Sequence, residues 1–213
     1  MNRNKIYAIV EGQGEANPPN GKPSAVVVLI GKMLTELNYW NLYPAEKRQP
    51  FRMSYGDFFK NNKLENAIRY HGTFDDCAAL LILLDMDDDC PREKAKELVS
   101  RIHQMGSLPF SVVVVCAKRE FESWFLASLE TIHDGQIYDD APENKRDAKG
   151  WLRKNFKYKQ TRHQAIYTQK LDIALARERS RSFRRLYHAF QELVDAAEKG
   201  QIIITPTEQT SSC

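Results

Sequence analysis

Apolar residues along this chain are grouped in two ways. Lys5 to Val10 (KIYAIV), Ala78 to Leu84 (AALLILL) and Phe110 to Cys116 (FSVVVVC) are short continuous runs, each followed by charged residues. Runs of that length, rich in β-branched residues and without alternation, predict strands covered on both faces of a parallel sheet. Between them the rhythm is helical. Val27, Ile30, Leu34 and Leu37 recur on one side of a segment opening at Ser24, Lys63 to Tyr70 reads as a short helix, and Pro91 suits the first position of the helix REKAKELVSRIHQM. The segment KREFESWFLASLETI after the Phe110 run predicts one further helix. Strands alternating with helices argue for an α/β domain whose parallel sheet is joined by crossover helices. A weaker strand is expected around Arg52 to Ser54, and Glu15 to Pro23 is turn-rich enough to be a loop.

Beyond His133 the pattern changes. Asp134 to Asp147 reads as a loop, Gly150 to Phe156, Leu171 to Arg179 and Ser182 to Glu198 as helices, and Gln201 to Thr205 (QIIIT) as a last strand. The expected organisation is an α/β core over 1–133, a mainly helical extension packed on it over 134–205, and a disordered polar tail over 206–213.

Charge sharpens this division. From Ala141 to Phe190 there are 14 Lys/Arg against 4 Asp/Glu, a local +10, while the remainder carries 17 against 24, a local −7. An acidic region beside a basic one suits a metal-dependent site acting on a polyanion, although a solvated helical face would give the same count. The longest apolar runs fall far short of the roughly 20 residues that span a bilayer. The start MNRNKIYAIVEGQGE lacks the form of a signal peptide, so a cytoplasmic protein with no membrane role is expected. Cys77, Cys90, Cys116 and Cys213 show no zinc-type spacing.

Acidic residues cluster where the predicted strands end. Glu11 and Glu15 follow the first, Asp85, Asp87, Asp88 and Asp89 follow the Ala78 run, and Glu120 and Glu122 follow the Phe110 run. In open α/β sheets ligands bind outside the carboxyl ends of the strands. Loops distant in sequence would there bring carboxylates together, and oxygen donors without histidine favour Mg²⁺ or Mn²⁺ over zinc. If DMDDD continues extended, Asp85, Asp87 and Asp89 project to one side and Met86 and Asp88 to the other. Lys118, just past the Phe110 run, is placed to stabilise developing negative charge. Lys145, Arg146, Lys149, Arg153 and Lys154, with Arg181, Arg184 and Arg185, would grip a nucleic-acid backbone. Trp151, Phe156, Tyr158 and Tyr167 interleave with them either as stacking platforms or as core.

Glu11-Gly-x-x-Glu15 after a strand, followed later by Asp85-x-Asp87, resembles the Toprim domain of topoisomerases, primases and OLD-type nucleases. VEGQGE (10–15), LLDMDDDCP (83–91), REFESWFLA (119–127), PENKRDAKGWL (142–152) and RSF (181–183) further resemble a narrower bacterial Toprim-like family. That resemblance implies a Toprim-like, Rossmann-like sheet with flanking helices. It implies Glu11 as general acid/base and ligand, Asp85 and Asp87 as metal ligands, Glu15 as a further ligand by likeness to the OLD-type enzymes, and Glu122 as another. The loop after Glu15 departs from the family in its length. The expected activity is Mg²⁺-dependent cleavage of DNA or RNA in defence against foreign nucleic acid, alongside an ATPase partner of the OLD/ABC type, with a homo-oligomer possible. The alternative is a non-catalytic Toprim scaffold that regulates such an ATPase.

Overall fold

A computed structural model describes residues 3–12 and 23–206. Glu15, the proposed loop around it and positions 207–213 of the proposed tail lie outside the described residues. Six parallel strands form one sheet: β1 (Lys5–Val10), β2 (Tyr43–Pro44), β3 (Phe51–Arg52), β4 (Cys77–Asp85), β5 (Ser111–Ala117) and β6 (Ile204–Thr205). Their order is β2-β1-β4-β5-β6, and β3 pairs with the same edge of β1 farther along, opposite Ile9 and Val10. This is a Rossmann-like α/β fold with helices on both faces.

Strand alternation distributes the core. Ile6, Ala8 and Val10 of β1 face one layer with Leu81, Leu83, Val113 and Val115; Tyr7 and Ile9 face the other with Leu80, Ile82, Val112 and Val114. Both sets are buried, so each run is apolar throughout, as a two-sided parallel sheet requires. Each fully buried Leu, Ile or Val contributes roughly 1.5–3 kcal/mol relative to exposure. The first layer is covered by α1 (Ala25–Glu36), which turns Ala25, Val26, Leu29, Ile30 and Met33 inward. The second is covered by α2 (Tyr55–Phe59), α3 (Lys63–Gly72) and α4 (Pro91–Gln104).

The predicted helix over 118–132 is instead a turn and two short helices, α5 (Glu122–Ala127) and α6 (Leu129–Ile132). Arg119 has φ 72° and Ser128 leaves helical geometry at φ −133°, ψ 35°, so the apolar spacing passes over two breaks. The chain continues through a 3₁₀ turn (Pro142–Asn144), α7 (Ala148–Phe156), α8 (Gln160–Lys170), α9 (Ile173–Arg179) and α10 (Arg181–Glu198). These helices share the α1 layer: Leu152, Tyr158, Phe183, Leu186 and Phe190 belong to one cluster with β1, β4 and β5. What reads in sequence as an extension is therefore one of the two layers covering the sheet. No helix among the described residues is long and apolar enough to cross a membrane.

Candidate functional site

Connections from β1 lead to β2 and β3 on one side, and the chain then returns to place β4 on the other. The crevice between the ends of β1 and β4 is the topological switch point, where α/β sheets bind ligands. Val10 pairs with Leu83, so Glu11 and Asp85 emerge there together. The Glu11 Oε2 accepts a hydrogen bond from the Asp85 amide at 3.2 Å, and Asp85 Oδ1 accepts one from the Phe121 amide at 2.9 Å. Two carboxylates from segments 74 residues apart are thereby oriented by backbone donors, with both side chains only part-buried.

The acidic turn beyond Asp85 is not extended. Met86 donates its amide to Ala117 and is buried, Asp87 adopts φ 42° with its amide on the Arg119 carbonyl at 3.0 Å, and the Asp89 amide closes back on Met86. The expected alternation of Asp85, Asp87 and Asp89 on one side is replaced by a turn that leaves residues 87–89 exposed. Asp88 is bound by two guanidiniums, Arg119 and Arg146, which hold its carboxyl below the usual carboxylate range. Asp89 accepts from the Tyr55 hydroxyl. Burial, that hydrogen bond and the negative charges of Asp89 and Glu11 push the Tyr55 phenol up, so it remains a donor. Tyr55 therefore joins Asp89 to the Glu11 side of the rim.

The two acidic residues after β5 take different places. Glu120 accepts from the Lys149 amide at 2.9 Å, and burial raises its carboxyl above the usual range against the pull of Lys149. Glu122 is wholly buried; its Oε1 accepts from the Tyr158 hydroxyl at 2.9 Å and from the Gln164 amide at 3.5 Å. It ties α5 to the chain segment before α8 rather than standing at the exposed rim. Among the described residues no three His, Cys, Asp or Glu side chains are arranged to hold one metal ion. The donors at the switch point are nonetheless all oxygen, and Mg²⁺ is commonly held by one or two carboxylates with water and substrate phosphates completing its shell. Glu11 and Asp85, two carboxylates brought together at the crevice, fit such a partial shell.

The basic residues divide as well. Arg153 and Lys154 are exposed on α7, Lys149 is part-buried in its first turn, and Lys145 is part-buried on the approach to it. Arg146 is drawn to Asp88, which brings the α7 approach against the acidic turn. Arg184 donates to the carbonyls of Arg177 and Glu178 and so caps the end of α9. Lys118, Arg181 and Arg185 line a separate cleft between α4 and α10. Tyr158 and Tyr167 are buried, Phe156 stacks on His133 at 3.8 Å, and Trp151 packs edge-on to Tyr138, so these aromatics belong to the core. Tyr55 gave no functional signal in the sequence, and Arg119, although it opens REFESWFLA, stands inside what reads as a helix and was given no role of its own.

Residues 10–191 match the family described as "Domain of unknown function (DUF4276)", and the chain belongs to that family. Comparison with curated proteins and with solved structures finds no match.

Proposed function

We propose that this protein is a Mg²⁺-dependent nuclease of the Toprim type that cleaves phosphodiester bonds in DNA or RNA. One observation carries the reading: Glu11 and Asp85, brought from distant segments to the switch point, are each oriented by a backbone amide at its solvent-facing rim. A purely structural role would not require an acid at the end of β1 beside the acidic turn at the end of β4. Glu11 and Asp85 would hold the ion, with water and substrate oxygens completing its shell. When bound, it supplies charge neutralisation at the phosphoryl oxygens and a more acidic water.

The chain's own groups do the rest. Glu11 accepts a proton from the attacking water or returns one to the leaving oxygen, a role worth on the order of 10²–10⁴ in rate. Its contact with the Asp85 amide orients the carboxylate for that exchange. Tyr55, kept protonated, holds Asp89 toward the same rim. Lys145 on the approach to α7, and Lys149, Arg153 and Lys154 on the helix that Arg146 leads into, would retain the polyanion by releasing its counterions. The likeness to OLD-type systems supports a cytoplasmic role in defence against foreign nucleic acid with an OLD/ABC-type ATPase partner.

A non-catalytic scaffold regulating that ATPase is the second reading, and the absence of a three-ligand group among the described residues favours it. One experiment separates the two. The purified chain is incubated with Mg²⁺ or Mn²⁺ and mixed single- and double-stranded DNA and RNA, with and without an OLD/ABC-type ATPase. Cleavage lost in Glu11→Gln and Asp85→Asn supports the nuclease; no cleavage under any of these conditions, with the ATPase still bound, supports the scaffold.

A further inference from the structure

At the β2/β3 edge of the sheet, on the face opposite α1, a pocket of about 360 Å³ opens between β3 and the end of α3. Its walls are aromatic: Tyr7 from β1, Phe51 from β3, Tyr70 and His71 from α3, and Phe74 just beyond that helix. The Tyr7 and Phe74 rings stand 5.0 Å apart, Tyr70 packs edge-on to Phe74 at 5.0 Å, and Phe51 lies 6.3 Å from Tyr70. Tyr7 and His71 are buried, whereas Phe51 is 38% exposed and Tyr70 50%. Exposed aromatic area gathered at one concave place marks a binding site, unlike single rings scattered over a surface.

The charged groups of the pocket are cationic. Arg48 and Arg52 line it, and no Asp or Glu does. Arg48 lies over the Phe74 ring, 4.0 Å from its centroid, and neither arginine forms an ion pair among the described residues. Asp76, outside the lining, accepts from the Tyr7 hydroxyl at 2.7 Å, and the charges of Asp76 and Arg48 both reach that phenol. His71 contributes a neutral ring: its Nδ1 donates to the Ala67 carbonyl at 2.7 Å, and burial lowers its pKa below the usual histidine value. Aromatic rings beside guanidiniums suit a flat, π-rich ligand that carries negative charge alongside. The pocket also adjoins the rim. Phe51 pairs opposite Ile9 and Arg52 opposite Val10, and Arg52 Nε donates to the Glu11 carbonyl at 3.4 Å. Two residues of strand rise, roughly 7 Å, therefore separate the level of Phe51 from that of Glu11.

We infer that this pocket takes an unstacked base of a single-stranded nucleic acid, whose backbone passes Arg48 and Arg52 toward the rim at Glu11. Bases inside a duplex have their faces covered by their neighbours, so only an unpaired or extruded base can offer a face to Phe51 or Tyr70. Stacking on an aromatic side chain is worth about five- to 150-fold in affinity per base, and it tolerates any sequence because every base has a π-face. The inference deepens the nuclease reading by naming its substrate as single-stranded, and it rests on that reading for the choice of ligand.

The test is fluorescence anisotropy with the full chain in chelator, where metal-dependent cleavage cannot consume the probe. The probes are a labelled oligothymidylate, an oligouridylate, an abasic oligomer of the same length and backbone charge, and a DNA duplex. At least one of the two base-carrying strands is expected to bind at least about fivefold more tightly than the abasic oligomer. Phe51→Ala and Tyr70→Ala should each shrink that margin while leaving the abasic oligomer and the duplex bound as before, and Phe51→Trp should keep it. Both positions are exposed, so the variants should fold, as thermal melts would verify. A margin larger for the ribo- or the deoxy-strand would assign RNA or DNA as the source. Equal binding of base-carrying and abasic strands, or a margin unchanged in both alanine variants, would overturn the inference. Base-dependent binding by a chain that cleaves nothing with Mg²⁺ would uphold the pocket and overturn the nuclease reading; cleavage without base-dependent binding would do the reverse.

Discussion

Two acidic strand ends of this molecule have the same composition and opposite fates. At the β1/β4 crevice, Glu11 and Asp85 are held by amides with their carboxylates toward solvent. After β5, Glu122 turns inward, loses all exposure and binds Tyr158 and Gln164. The difference is topological. Glu11 and Asp85 emerge at the switch point, where both side chains are only part-buried. Glu122 begins a helix whose whole length is buried beneath α7, α8 and α10. An acid at a strand end is thus a candidate for chemistry only where the connection leaves the crevice open.

The sharpest way to break that comparison is to neutralise the open acid. Glu11→Gln keeps the acceptor for the Asp85 amide but removes the proton acceptor, so cleavage is expected to fall by about 10²–10⁴. The melting temperature should hardly move. Single-turnover kinetics with thermal melts would check both, and an active Glu11→Gln would remove Glu11 from catalysis. The converse holds for the buried acid. Glu122→Ala takes away the acceptor of the Tyr158 hydroxyl and leaves a void, costing about 2–4 kcal/mol and lowering the melting temperature by roughly 5–15 °C. Any remaining folded enzyme should retain most of its specific activity. If activity vanishes while the melt stays unchanged, Glu122 belongs with the ligands after all.

Much of the sheet could be read from the chain because burial on both faces writes itself as unbroken apolar runs. β1, β4 and β5 lie within one or two residues of their predicted limits. α8 was unreadable for the opposite reason: QTRHQAIYTQK has no apolar stripe, and its buried face consists of Gln164, which donates to Glu122, Tyr167, which bonds His133, and Thr168, which donates to the Gln164 carbonyl. The break at Ser128 was hidden because apolar residues on both sides continue the helical spacing. At the site, Glu11 and Asp85 were identifiable from residue type and strand-end position. The turn at Asp87, the Tyr55 contact with Asp89 and the inward set of Glu122 depend on backbone conformation and on packing between distant segments. Position along the chain carries none of that.

A smaller effect tests the intermediate case. Glu120 is part-buried and lies near Asp87 and Asp147, and burial raises its carboxyl while the Lys149 amide and charge oppose the shift. A carboxyl raised in the folded state favours folding when protonated. That contribution is present below its ordinary value and disappears as pH climbs through the raised one. Glu120→Gln should therefore match the wild type near pH 4 and melt on the order of 1–3 °C higher at pH 7. Melts across that range would decide it. A constant difference at every pH would mean that the Glu120 carboxylate is paired well enough to offset its burial.

The smallest effect is expected at Asp88, the acid of the exposed turn that is bound to cations and not to the crevice. Arg146 and Arg119 depress its carboxyl, so its contribution to stability is present above its ordinary value and is lost only as pH falls through the depressed one. The carboxylate and Arg146 are both largely exposed, and ion pairs in that setting contribute little and are screened by salt. Asp88→Ala should shift the melting temperature by less than about 2 °C at neutral pH, and high salt should erase even that. Arg119 keeps its bond to the Asp87 carbonyl at 2.7 Å, so the turn should hold its shape and cleavage should stay within about threefold of wild type. Release of Arg146 should instead appear as weaker salt dependence of nucleic-acid retention if that guanidinium only braces the turn. A stronger dependence would mean that, once freed, it engages phosphate, and the boundary between the acidic rim and the basic approach would then be set by Asp88 itself.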